Sequence, residues 1–303
     1  MISAKKNIDD EFYTLHEDVD KELSHYMDCF RGKKVLCNCN DALHRAFPDW
    51  FELHFDELGL KSLTCTSYGK DAFAETFDGK SWSRRSLVMD GDFRTFEMLE
   101  LLEECDVVAT NPPFSLFRAL FNLLIEYGKE FIVIGNLSAV QYFDVFPFIK
   151  SREVWVSQYG NKNLTFSNGN GAVTRFFTNL GVFHSNESLE LNAEYSPEKY
   201  PEYINVRAIE VGKIKDIPKD YYGVMGVPLT FIDKWNPEQF ELLEGKTTFR
   251  FNEDLYKPMK GIPCNEFHVK LRSDNCYIKH YSDNFVNHDA KSVFSRLLIR
   301  RKK

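Results

Sequence analysis

The chain has 303 residues, 43% of them apolar and 27% charged, values that provide for a sizeable core and exclude wholesale disorder or a fibrous repeat. No apolar run approaches the roughly 20 residues needed to cross a bilayer, and the opening Met1-Ile2-Ser3-Ala4-Lys5-Lys6-Asn7 leads into acidic residues, not a signal-peptide core, so no membrane partner and a cytoplasmic location are expected. The net charge of −7 is uneven: residues 1–110 hold 13 basic against 23 acidic side chains, residues 111–245 hold 12 against 16, and residues 246–303 hold 13 against 6. A polyanion would be met by the C-terminal part and a cationic small molecule by the acidic N-terminal part, although a charge run is also simply a solvated face.

In chain order, Lys33 to Asn40 reads as a short buried strand, followed by a helical stretch from Ala46 to Leu58 that Gly59 ends. Lys61 to Tyr68 gives a second strand. After a polar loop, Ser86-Leu87-Val88-Met89 gives a third, closing on Asp90-Gly91-Asp92. Phe93, Phe96, Leu99 and Leu102 recur at the spacing of one helix face. Asp106 to Thr110 is a continuous apolar strand. The loop Asn111 to Phe114 then precedes a helix with Ser115 as N-cap and Leu116, Leu120, Leu123 and Leu124 on one side. Gly128 stops that helix, and Glu130 to Asn136 returns as the next strand.

Strands alternating with amphipathic helices imply an α/β fold with a mostly parallel sheet covered on both faces. Beyond residue 150 the pattern turns mixed, with strands expected over 153–159, 172–179 and 203–211, a short helix opened by Asn236-Pro237 and running to Leu243, and a final strand from Ser292 to Ile299. The composition places a boundary near 190, dividing a 1–190 domain from a 191–303 region whose final strand could return to the core. Seven scattered cysteines, with Cys37, Cys39 and Cys65 inside predicted strands, read as reduced packing residues, and nothing at zinc spacing suggests a metal.

In an open parallel sheet, ligands bind at the carboxyl ends of the strands, and Asn111-Pro112-Pro113-Phe114 falls at such an end. Two successive prolines fix two φ angles and remove two backbone donors, leaving the Asn111 side chain and the Pro112 carbonyl to accept hydrogen bonds from something else. An exocyclic amine offers two donors of matching geometry. Holding both hydrogens would favour a pyramidal nitrogen whose lone pair can attack a sulfonium methyl directly, and Phe114 offers a face on which an extruded base could stack. Taken alone, Asn-Pro-Pro is also an ordinary turn.

The four residues resemble the catalytic motif of amino-methyltransferases, and three other segments fit the same family. Phe12-Tyr13-Thr14 looks like the segment that packs against the cofactor. Asp92 and Phe93 resemble the acidic and aromatic residues of the cofactor's adenine pocket. Cys37-Asn38-Cys39-Asn40-Asp41 stands where the family has its cofactor loop, here without the usual glycine; Asn is tolerant of the left-handed conformation and Asp41 could meet an ammonium group. The order of these parts resembles the gamma arrangement of DNA amino-methyltransferases, and in particular the EcoRI-type adenine-specific modification methylases.

That resemblance implies a Rossmann-like methyltransferase sheet, S-adenosyl-L-methionine as cofactor and double-stranded DNA as partner. It further implies a monomer that methylates adenine, with a cognate restriction endonuclease as an open possibility. The cofactor residues it implies are Phe12, Tyr13, Thr14, Cys37 to Asp41, Asp92, Phe93 and Asn111. Arg175, Phe176 and Phe177 would join Phe114 in enclosing the flipped adenine, with core packing the competing reading for both phenylalanines. Methyl transfer to RNA or to a protein glutamine, and a non-catalytic binding role, are the alternatives. Cofactor binding separates the last from the enzymes, and product analysis separates the enzymes from one another.

Overall fold

The computed structural model describes residues 15–38, 45–157, 159, 173–245, 268–270, 290–292 and 295–303. They fall into two compact units, Met1–Leu137 with Arg152–Phe183, and Ser138–Ser151 with His184–Lys303. The segment 138–151 thus groups with the second unit, which no shift in composition marks.

The first unit runs α1 (His16–Leu23), α2 (Met27–Phe30), β1 (Lys34–Cys37), α3 (Ala46–Leu53), α4 (Phe55–Leu58), β2 (Ser62–Thr66), β3 (Phe73–Phe77), β4 (Trp82–Ser86), α5 (Phe96–Glu104), β5 (Val107–Thr110), α6 (Phe117–Glu126), β6 (Glu130–Asn136), β7 (Trp155–Val156) and β8 (Thr174–Thr178). One sheet takes all eight strands in the order β4-β3-β2-β1-β5-β6-β8-β7. Its centre, β2-β1-β5-β6, is parallel, while β3, β4, β7 and β8 join by antiparallel pairing. The sheet is therefore mixed, with the expected parallel order confined to the middle.

Alternation along each central strand sends side chains to two helical layers. Val35, Cys37, Leu63, Cys65, Val107, Ala109, Ile132 and Ile134 pack with Leu23, Phe30, Phe47, Trp50, Phe51 and Leu58 from α1 to α4. The other face carries α5 and α6; on it Phe121 meets Phe131 edge-on at 5.8 Å and Phe117 meets Phe177 at 4.9 Å. Burial from both sides explains why β5 and β6 are nearly continuous apolar runs.

Several local expectations are corrected. Residues 69–85, read as a polar loop, contain most of the β3-β4 hairpin, and Ser86, where a strand was expected to start, is where β4 ends. The buried stripe of α5 is Met98 and Leu102, with Phe96 on the exposed side. Leu116, not Ser115, stands at the N-cap of α6, whose inward side chains are Phe117, Leu120, Phe121 and Leu124. The expected strand over 153–159 narrows to Trp155–Val156.

In the second unit, α7 (Phe146–Ser151) is followed by β9 (Ile209–Glu210), β10 (Val224–Pro228), β11 (Phe240–Gly245), β12 (His268–Lys270), β13 (Ala290–Ser292) and β14 (Arg296–Arg301). A four-stranded sheet has the order β11-β14-β10-β9, and β12 and β13 form a two-stranded sheet. The final strand thus lies inside the second unit's own sheet. Tyr203, Val206, Ala208, Val224 and Leu298 form a core there. Arg296, which is buried, and Glu210 make an ion pair at 2.5 Å beside them. The helix expected from Asn236 to Leu243 is instead one turn, in which the Asn236 side chain accepts from the Glu238 N–H at 2.8 Å, and then strand β11.

Candidate active site

Asn111 is the first residue beyond β5, at the carboxyl edge of the parallel centre, beside the carboxyl end of β1. Pro112 is buried, and Pro113 and Phe114 are half-buried. The turn hands over to α6 through Leu116 N–H to Pro113 O at 2.8 Å and Phe117 N–H to Phe114 O at 3.4 Å. Phe114 packs against the core cluster that contains Phe176. The Asn111 Oδ1 atom is out of contact with solvent.

Two contacts gather the neighbouring strand ends around this turn. The Thr110 hydroxyl donates to the Asn38 carbonyl, which joins the end of β5 to the end of β1. Beyond β2, the Gly69 N–H donates to Asp90 O at 2.8 Å. The Gly91 backbone lies so close to Ser67 O that a Cβ there would come within 2.1 Å of it. The Asp90-Gly91-Asp92 loop is thereby laid against the end of β2, and Asn38, Asn111 and the Asp92-Phe93 segment belong to neighbouring strand ends at one edge.

Each residue named from the sequence takes a definite place, except those outside the described residues, namely Phe12, Tyr13, Thr14, Cys39, Asn40 and Asp41. Cys37 is fully buried in the core beside Cys65, so its thiol faces the interior and burial pushes its pKa up. Asn38 is 3% exposed. Asp92 accepts from Arg94 Nε at 2.8 Å and Nη2 at 2.5 Å; these bonds hold its carboxyl below the usual range against the opposing effect of partial burial. Phe93 is buried, with the Arg94 guanidinium 5.5 Å from its ring centre.

The Arg175-Phe176-Phe177 run does not form one surface. Phe176 meets Phe47 at 6.4 Å on one side of the sheet, and Phe177 meets Phe117 on the other. Arg175 is buried opposite Gly135, with Nη1 donating to Thr174 O at 2.7 Å. Because β8 is antiparallel to β6, Arg175 sits near the carboxyl edge of the parallel strands.

The family described as adenine-specific methyltransferase EcoRI matches residues 1–85 and 76–302. The chain belongs to this EcoRI methylase family. Type II methyltransferase M.EcoRI of Escherichia coli is 39% identical over 284 residues, covering 80% of this chain and 87% of that protein. Type II methyltransferase M.MgeORF184P of Mycoplasma genitalium is 38% identical, and Type II methyltransferase M.MpnI of Mycoplasma pneumoniae 37% identical, each over 267 residues, with 80% of this chain and 84% of each relative covered. No solved structure matches the chain.

For this EcoRI methylase family member, sequence reasoning passed over two residues at this edge, Thr110 and Thr66, and one on the neighbouring hairpin, Glu75. Thr110 was read only as a strand end. Thr66, also at a strand end, is 2% exposed, and its Oγ1 has no hydrogen-bond partner among the described residues. Glu75 is 5% exposed on the unforeseen β3 strand. Only Glu75 had a local signal, the Asp78-Gly79 dipeptide, a turn former between β3 and β4. Among the described residues no cluster of His, Cys, Asp or Glu could hold a metal, and no helix is long and apolar enough to cross a membrane.

Proposed function

We propose that this chain is a site-specific DNA adenine methyltransferase that acts by direct transfer from S-adenosyl-L-methionine to the exocyclic amine of an adenine turned out of the duplex. The observation that carries the reading is the position of Asn111-Pro112-Pro113-Phe114, at the carboxyl end of a central parallel strand and next to the end of β1. The family description and the Type II methyltransferase relatives support the reaction class.

The residues present fit the cofactor. A buried hydroxyl on Thr66 without a hydrogen-bond partner among the described residues, at the same edge, is the kind of group a polar ligand satisfies. Asn38 to Asp41, Asp92 and Phe93 would hold it, and Phe12 to Thr14 would pack on it. When bound, it supplies an electrophilic methyl on a sulfonium. The chain's own work is orientation: the Asn111 side chain and the Pro112 carbonyl accept the two amine hydrogens, and the burial of the Asn111 Oδ1 atom and of Pro112 is a setting in which such bonds are strengthened. Proline supplies no competing N–H at positions 112 and 113. Phe114 and Arg175 would border the base.

In this reading the second unit contacts DNA, the chain works as a monomer in the cytoplasm, and a restriction endonuclease of the same specificity is its natural counterpart. The deciding experiment incubates the purified chain with methyl-labelled S-adenosylmethionine and, separately, DNA, structured RNA and a glutamine-bearing protein. Label recovered as N6-methyladenine in DNA is expected; label only in RNA or protein, or in no acceptor, overturns the proposal.

A further inference from the structure

At one end of β14 the second unit carries a cation on each face of its four-stranded sheet. Arg300 and Arg301 are consecutive in that strand, so their side chains leave on opposite faces. Arg300 stands opposite Glu241 of β11 and pairs with it at 3.9 Å. Arg301 stands opposite Phe240, which is fully buried, and among the described residues no carboxylate pairs with its guanidinium. Its Nη1 is closed off from solvent and has no hydrogen-bond partner among the described residues. The guanidinium carbon lies 5.1 Å from the centre of the Tyr222 ring, and Tyr222 is 44% exposed. Tyr221 packs instead with Tyr195 at 4.7 Å.

A permanent positive charge in this setting is a cost to the fold. The half-buried guanidinium has lost part of its hydration, and neither an acceptor for Nη1 nor a counter-ion replaces it. An apolar side chain would be the more stabilising choice here, as Leu297 and Ile299, buried on the same face, illustrate. What arginine supplies and an apolar residue does not is a planar fork of charged N–H donors, whose shape matches two oxygens of a phosphate. Stacking on Tyr222 holds that plane in one orientation before any ligand arrives, which lowers the ordering cost of binding. The surroundings have the same sign: residues 246–303 hold 13 basic against 6 acidic side chains, and Arg301 is flanked by Arg300 and Lys302, both exposed.

We propose that Arg301, oriented by Tyr222, binds one phosphodiester of the DNA backbone. The proposal rests on the reading of duplex DNA as the substrate and gives the second unit a named contact for it. Contacts of this kind set affinity and register on the duplex and read no sequence themselves.

The test measures binding of the full chain to a fluorescein-labelled duplex of mixed sequence by anisotropy, between about 50 and 200 mM salt. Arg301→Leu should reduce the slope of log Kd against log salt by about 0.9, the value of one phosphate contact, and weaken binding roughly tenfold at about 100 mM salt. The KM for DNA should rise with it, while kcat at saturating DNA and S-adenosylmethionine affinity by calorimetry stay within about twofold. Arg301→Lys, which keeps the charge without the planar fork, should keep the slope and recover part of the affinity. Tyr222→Leu should fall between wild type and Arg301→Leu. If DNA binds wild type and Arg301→Leu with the same slope, the inference alone is overturned, and a lowered unfolding midpoint with that slope unchanged makes Arg301 a structural residue. An equal drop in Lys219→Leu, whose lysine is already paired with Glu194 at 2.8 Å, traces the effect to net charge and likewise overturns it. Inorganic phosphate that raises the unfolding midpoint of wild type but not of Arg301→Leu, while both bind DNA equally, assigns the site to a small anion and overturns the DNA contact. Absence of DNA binding by the wild type overturns the functional reading and this inference with it. If Arg301→Leu does not fold, Arg301→Gln carries the comparison.

Discussion

The Thr110 hydroxyl donates to the Asn38 carbonyl, joining the residue before the Asn-Pro-Pro turn to the residue that follows β1. Both partners are buried, so a lost donor leaves a carbonyl that water does not reach. Thr110→Val keeps the shape and removes the hydroxyl. It should cost about 1–3 kcal/mol in denaturant unfolding and weaken S-adenosylmethionine binding, with Thr110→Ser close to wild type in both. Valine and serine variants of equal cofactor affinity would dismiss this bond as an organiser of the site.

Asn111→Ala tests the chemistry itself. If the side-chain oxygen orients the target amine, turnover should fall by about 10²–10³, the scale of losing one preorganised polar group at a reacting centre. Cofactor affinity by calorimetry should change far less, because that side chain is assigned to the acceptor. A variant that retains full transfer to DNA would refute the role.

Acid should loosen the hairpin before the sheet centre. Burial raises the Glu75 pKa, but hydrogen bonds and charge from Arg45 and Arg84 outweigh it and leave the group below its ordinary value. A carboxyl lowered in the folded state contributes stability that is complete above its unfolded pKa, about 4.3, and is lost as pH falls through the folded value. Asp92, lowered by Arg94, adds to the same slope. Denaturant midpoints between about pH 3 and 7 should fall steeply at the acid end for wild type and less steeply for Glu75→Gln. Parallel curves would show that Glu75 does not titrate with folding.

The run from β5 through the Asn-Pro-Pro-Phe turn to β6 was legible because strands buried on both faces are written as unbroken apolar stretches, and β6 has the bounds expected of it. The hairpin was not. Its outer strand, Trp82–Ser86, is an edge strand of mostly exposed residues, so hydropathy gives no sign of it, and pairing with β3 decides its conformation. Asn236-Pro237 misled for a related reason. Cap residues specify one turn, and whether a helix follows depends on competition with sheet pairing, which β14 wins over Phe240–Gly245. Within the site, Asn111 was visible through its prolines, whereas Thr110 with Asn38, and outside it Glu75 with Arg45, are contacts between distant segments that no local pattern records. Phe176 and Phe177, adjacent in sequence, were read together although a strand sends neighbours to opposite faces.

Gly91 gives a prediction in which conformation and space can be separated. Its φ is +75°, and an added Cβ would lie 2.1 Å from Ser67 O and 3.2 Å from the Ala72 Cβ. Gly59, after α4, also has a positive φ, +58°, but an added Cβ there meets nothing within 4 Å. Alanine at either position pays the left-handed strain of about 1–2 kcal/mol. Only at Gly91 must backbone also move, and the part that moves is the loop carrying Asp92 and Phe93 away from the end of β2. Gly59→Ala should therefore lower the unfolding midpoint while leaving S-adenosylmethionine affinity unchanged, whereas Gly91→Ala should lower both. If the two variants bound cofactor equally well, the close approach of Gly91 to Ser67 would be a matter of stability and not part of how the cofactor pocket is shaped.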